Sequence, residues 1–238
     1  MSRQKTTVLL ALLFVSQLAM GQQIQQFIDD EYVREDVFGI NKGTNGGIIS
    51  GIYYRHSKML NKGNLMNYGV EIVNIRHPRE TRVTTPLGST FVFGKSNYLL
   101  SIRPTYGREK ILFKKAPQQG ARITAMAAAG PAFGLEVPYY IRLANSGSAP
   151  YNPDVHRFQS IQGSSSLFRG LTESTFVLGA HAKTSLTFET NSTKKRVFGI
   201  EIGFSIDAFT RDINILPLAQ NRSIYTAAFA AIYFGRRR

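Results

Sequence analysis

The four histidines, His56, His77, His156 and His181, have the widest chemical reach of any residues in this 238-residue chain, and their spacing removes most of it. Each is more than twenty residues from the next, whereas metal sites draw on ligands at short, fixed spacings. The chain has no cysteine, so thiolate ligands and disulfides are excluded. No phosphate loop, dinucleotide fingerprint, His-Glu-x-x-His helix or calcium loop is present. One nucleophilic arrangement remains, because His181, Lys183 and Ser185 share a face if this stretch is a strand. Lys183 occupies the position two residues from the histidine where an ester-cleaving pair needs a hydroxyl. No catalytic, cofactor or metal residue is expected, and the chain reads as a non-enzyme. The chemistry left is electrostatic: Glu71, Arg103, Arg122, Glu136, Arg142, His181, Lys183, Glu201 and Asp207 all fall on the polar faces of alternating stretches.

Those faces are clearest over 174–188 and 196–208. Phe198, Ile200, Ile202, Phe204 and Ile206 alternate with Gly199, Glu201, Gly203, Ser205 and Asp207, and Phe176, Leu178, Ala180 and Ala182 alternate with Gly179, His181 and Lys183. Residues 189–195, with Asn191, Ser192 and Thr193, join the two as a hairpin. Each arm is longer than a typical soluble strand and long enough to cross a bilayer at a tilt. A water-exposed face would be dense in lysine and glutamate, but this polar face is mostly Gly, Ser and Thr with charges of both signs, which suits a narrow interior. The expectation is an all-β chain: a transmembrane, antiparallel, up-and-down β-barrel of about eight strands. A soluble barrel with its apolar face inside is the alternative.

Arg3 and Lys5 precede an apolar run over 8–15, and Ala19-Met20-Gly21 offers small residues for cleavage, so residues 1–21 read as a secretory signal peptide. Residues 22–47 carry five acids without sustained periodicity and read as an N-terminal periplasmic extension, leaving 48–238 as the barrel. Strands are expected over 48–56, 66–77, 96–107, 121–130, 133–142, 174–188, 196–208 and 223–234. In the last, Tyr225, Phe229 and Tyr233 are read as lipid-facing, although Ile224, Ile232 and Phe234 fit the other face. The count of eight depends on a turn at Gly130-Pro131, since one unbroken strand of about 21 residues would reach near 70 Å. Without that turn, the N-terminal segment must supply the eighth strand. The topology also leaves the 78–95 connection too long for its end of the barrel. The 143–173 connection is read as an exposed loop.

The net charge is +14, falling to +12 once Arg3 and Lys5 leave with the leader. After export, such a charge either points to lipid phosphates, acidic glycans or cell wall and away from nucleic acid, or is no more than solvated charge at strand ends. The runs Arg76-His77-Pro78-Arg79-Glu80, Phe93-Gly94-Lys95-Ser96-Asn97, Pro138-Tyr139-Tyr140, Gly179-Ala180-His181-Ala182-Lys183 and Tyr233-Phe234-Gly235-Arg236-Arg237 together resemble an uncharacterised family of small outer-membrane β-barrels of Bacteroidota. The resemblance implies fold and an outer-membrane location and assigns no functional residue. A structural, surface-interaction or assembly role with a plugged lumen is the leading expectation. The partners would be outer-membrane lipid, lipopolysaccharide phosphates, the barrel assembly machinery and a protein at the 143–173 loop. A narrow small-solute channel and a lipid-modifying hydrolase are the alternatives.

Overall fold

The computed structural model describes residues 33–61, 63–85, 87–113, 121–144, 147–156, 158–189, 195–217, 219 and 221–238; the stretch 1–21 expected to be a signal peptide lies outside these residues. Thirteen strands follow in order: β1 (Arg34–Gly43), β2 (Gly51–Asn61), β3 (Asn64–Ile75), β4 (Arg82–Thr84), β5 (Thr90–Val92), β6 (Asn97–Phe113), β7 (Arg122–Pro138), β8 (Tyr140–Leu143), β9 (Gly147–Pro150), β10 (Ile161–Ser164), β11 (Thr175–Glu189), β12 (Arg196–Ile213) and β13 (Arg222–Arg237). Eight close into one antiparallel ring in the order β1-β13-β12-β11-β7-β6-β3-β2. Among the described residues, no helix is long and apolar enough to cross a membrane.

The ring is transmembrane because its outside is apolar. Phe38, Ile40, Val70, Ile72, Ile202, Phe204, Ile232 and Phe234 are each more than two-fifths exposed, while Glu71, Arg103, Glu201 and Asp207 are buried inside. The stagger fixes the geometry. The row of directly paired residues Arg34, Lys58, Met66, Arg108, Ala127, Thr184, Phe204 and Ala228 returns to β1 at Thr44, ten positions beyond its start. With a rise of about 3.3 Å per residue and strands about 4.8 Å apart, this stagger tilts the strands by about 41°, so each residue advances about 2.5 Å along the axis. The outward apolar positions, from Phe198 and Phe234 at one end to Leu178 and Ile224 at the other, then span about 25 Å, the height of a membrane-facing band.

Two expectations are corrected together. Gly130-Pro131 is not a turn, since β7 runs through both residues, and the eighth strand is β1, formed by residues 34–43 from within the segment read as an extension. Pro131 is tolerated because it sits opposite Pro104. Pairing between β6 and β7 lapses from Ile102↔Phe133 to Tyr106↔Ala129, while Pro131 stays paired with Ala180 and Pro104 with Val70 on their other edges. Adding a strand at the start reverses the ends of the first connections. The long 76–96, 139–174 and 214–221 connections now share one end, opposite the tight β2–β3 turn and the paired residues Val33 and Arg238 at the start of β1 and the end of β13. The 76–96 segment therefore ceases to be an exception. The phase of β13 is also corrected: Tyr225 and Tyr233 are buried and Ile224, Ile232 and Phe234 are exposed.

Beyond the loop end of the ring, the β4–β5 hairpin and the three-stranded sheet β10-β8-β9 pack Phe91, Val92, Tyr139, Ile141, Tyr151 and Ile161 into a second apolar core. Tyr139 accepts a hydrogen bond from the Val92 amide at its hydroxyl, 2.9 Å away. Lys95 lies buried there, paired with Glu80 at 2.6 Å, with its ammonium 4.4 Å from the Tyr98 ring centre.

Candidate functional site

The inside of the ring is stacked in layers. Nearest the chain ends, Arg237 on β13 pairs through Nε with Glu35 on β1 at 2.7 Å and through NH1 with Glu189 on β11 at 2.8 Å. Its NH2 also donates to Glu189. One guanidinium thus ties three strands, in the fork geometry that arginine supplies.

The next layer is built around Arg55 on β2. Its Nε lies 3.3 Å from Glu109 Oε1 and its NH1 3.0 Å from Glu201 Oε2. Ser57 and Asn67 donate to Glu109 at 3.0 and 2.9 Å. Tyr53 and Ser185 donate to Glu201 at 3.0 and 2.9 Å, and Lys183 Nζ stands 3.6 Å from it. Glu201 is 0% exposed, so its carboxylate is held only by these donors.

Above it, Arg103 on β6 donates to Asp207 Oδ2 at 2.6 Å and to Glu71 Oε2 at 3.3 Å. Asn41 donates to Glu71 at 2.5 Å, and His181 Nδ1 is 3.1 Å from Asp207 Oδ1. A cavity of about 10 Å³ borders Asn41, Ser50, Glu71 and Arg103, room for about one water. The loop-end mouth is closed by apolar packing. Val73, Leu99, Val177, Phe209 and Tyr225 from the walls meet Ile213, Ile215 and Leu216, which fold across the opening. The strap is held by the Ser96 amide donating to the Ile215 carbonyl at 2.9 Å and by Asn97 Nδ2 donating to the Asn214 carbonyl at 2.7 Å.

Of the nine charged residues singled out from the sequence, Glu71, Arg103, His181, Lys183, Glu201 and Asp207 meet in the two middle layers. Glu136 points inward near the loop end and pairs with Arg211 at 2.6 Å. Arg122 is half-buried on the inward face, opposite Glu189 in the register. Arg142 is not in the lumen. The chain leaves the ring after Pro138, and Arg142 is exposed on β8, in the sheet beyond the barrel. Sequence reading missed Arg55, Glu109, Glu35 and Arg237, and the last two lay in segments taken for an extension and a tail. Glu109 was placed in a connection because β6 was ended at Gly107. The alternation Gly107, Glu109 against Arg108, Lys110 was the available signal.

His181 contacts carboxylates and Ser185 contacts Glu201, so the two do not form a nucleophile and base. Among the described residues, no group of three potential metal ligands converges.

No family model matches this chain, and no curated protein matches it. Solved structures similar to it include Ail, the attachment invasion locus protein of Yersinia pestis, in complex with the heparin analogue sucrose octasulfate (10% identity, TM-score 0.39, covering 87% of this chain and 99% of that one). Others are the N-terminal β-barrel domain of Pseudomonas aeruginosa OprF (10% identity, TM-score 0.34, 87% and 98%) and Neisserial surface protein A (9% identity, TM-score 0.35, 89% and 98%). The architecture above rests on this chain's own strand order and registers.

Proposed function

We propose that this chain is an outer-membrane barrel that works through its surfaces and not through its lumen. The carrying observation is the double closure of the interior: ion-paired layers fill the ring, and Ile213, Ile215 and Leu216 seal the loop-end mouth. A solute path would need both to open. The sheet and hairpin at the loop end, with the segments beside them, then form the contact surface, presenting Arg79, Arg82, Arg142 and Arg169 to lipopolysaccharide phosphates or to a protein partner along 139–174. Insertion of such a ring into an outer membrane would make the barrel assembly machinery a partner during biogenesis.

Planar-bilayer recording of the purified protein tests this reading. The expected trace is flat; resolved, reproducible conductance steps would replace the sealed barrel with the channel alternative. A tag inserted at Gly147, whose φ of +73° and open surroundings mark an exposed turn, should be labelled on intact cells. Labelling only after permeabilisation would put the loop end on the inner side.

A further inference from the structure

The end of the ring that carries Val33 and Arg238 bears cations on its outside that form no ion pair among the described residues. Arg34 on β1, Lys58 on β2, Arg108 and Lys110 on β6, Arg196 on β12 and Arg236 on β13 are all exposed and outward. Two pairs stand directly opposite each other across neighbouring strands, Arg34 with Lys58 and Arg196 with Arg236. Like charges so placed repel and destabilise a sheet. Asp36 is the outward carboxylate among them; it stands opposite Arg236 in the register without an ion pair to it, and its contacts go to His56 Nδ1 at 2.7 Å and the Tyr54 hydroxyl at 2.7 Å. Among the described residues, none of the six cations forms an ion pair.

Their heights coincide although their sequence positions do not. From the stagger and tilt above, Arg196, Arg34, Arg236, Lys58 and Lys110 fall within about 6 Å along the axis, and Arg108 lies about 9 Å above Arg34. The first five stand at the lower edge of the apolar band, level with or below Phe198 and Phe234, and Arg108 stands just inside it. That edge is where the phosphates of one leaflet lie, within a Debye length of every one of these side chains.

We propose that this collar binds the phosphates of anionic phospholipids in the leaflet nearest the chain ends, and that those lipids supply the counter-charge that the cross-strand cation pairs lack. The inference rests on the membrane reading of the barrel and adds a lipid class and a side. It separates from the phosphate contacts proposed for the loop end, which lie across the bilayer.

The test reconstitutes the full chain into vesicles of phosphatidylcholine alone or mixed with phosphatidylglycerol, extracts it mildly, and measures the lipid that stays bound. The wild type should retain phosphatidylglycerol enriched about threefold over the bulk mixture. In Arg34→Gln/Lys58→Gln/Arg196→Gln/Arg236→Gln the enrichment should vanish, whereas Arg142→Gln/Arg169→Gln at the loop end should keep it. In phosphatidylcholine alone, the pair variant Arg34→Gln/Lys58→Gln should melt at or above the wild-type temperature, because a repulsion has been removed, and added phosphatidylglycerol should narrow or reverse that difference. Equal enrichment in wild type and collar variant, or its loss only in the loop-end variant, overturns the proposal. Failure to gain a heat-modifiable folded form in either vesicle would instead overturn the membrane reading beneath it.

Discussion

The ring and the small sheet beyond it bury opposite things. Inside the ring are Arg55, Glu109, Glu201, Arg103 and Asp207, with Ile202 and Phe204 outside; inside the sheet cluster are Phe91, Tyr139, Ile141 and Tyr151, with Arg142 outside. One chain changes its rule of burial within a few residues of Pro138 because the medium outside it changes from hydrocarbon to water. In lipid, apolar burial gives no advantage, so the ring is held by backbone pairing and an ion-paired polar interior. In water, the cluster needs an ordinary apolar core, and Lys95 with Glu80 is its one ion pair among the described residues.

The contrast would break most visibly at Glu201. Glu201→Ala leaves Arg55 and Lys183 short of a carboxylate in a closed space, and the expected loss is about 4 kcal/mol, read as a fall in the heat-modifiable folded fraction in urea. On the other face, Ile202→Arg sets a charge against hydrocarbon near mid-band and should cost about 3 kcal/mol, with Ile202→Leu nearly silent in the same assay. In the outer cluster, Tyr139→Phe removes the acceptor for the Val92 amide while keeping the ring. A loss of about 1.5 kcal/mol is expected, detectable as faster proteolysis within 82–92 while the ring stays heat-modifiable.

The smallest effect concerns pH. Burial holds the Lys95 ammonium below its ordinary pKa of 10.5, with Glu80 offsetting part of the shift. The folded cluster therefore binds fewer protons than the unfolded chain between the depressed value and 10.5, and its stability rises with pH across that window; below it the penalty is constant. Calorimetric melting of the cluster should show this rise, and Lys95→Met should flatten it.

The alternation of β11 and β12 was legible because those strands run 15 and 18 residues without a proline, and Ile200, Ile202, Glu201 and Asp207 each declare a face. β1 was not legible, since its outward residues are Asp36, Phe38, Ile40 and Lys42 and its inward ones include Gly39 and Asn41, so polarity does not separate the faces. The length argument for a turn at Gly130-Pro131 failed because β7 is 17 residues long, ending at Pro138, and because the partner that makes Pro131 harmless, Pro104, is set by pairing and not by local sequence. Arg142 was misplaced for a related reason: the alternation continues past Pro138 although the chain has left the ring. The layering itself could not be read, because the heights of Arg55 and Glu201 come to match only through a stagger summed over several registers.

The seam between β1 and β13 carries a consequence for how fast the ring can form. Arg237 meets Glu35 across 202 positions of sequence, whereas β2 and β3 meet across a two-residue turn. Bringing such distant ends together costs about 5 kcal/mol of chain entropy before any contact between them is made. The hairpins therefore form early and the seam last, so a nearly finished ring waits with two bare strand edges exposed. Of the Arg237 contacts, the pair with Glu35 is the one that crosses this seam, so it can form only as those edges join and then opposes their reopening.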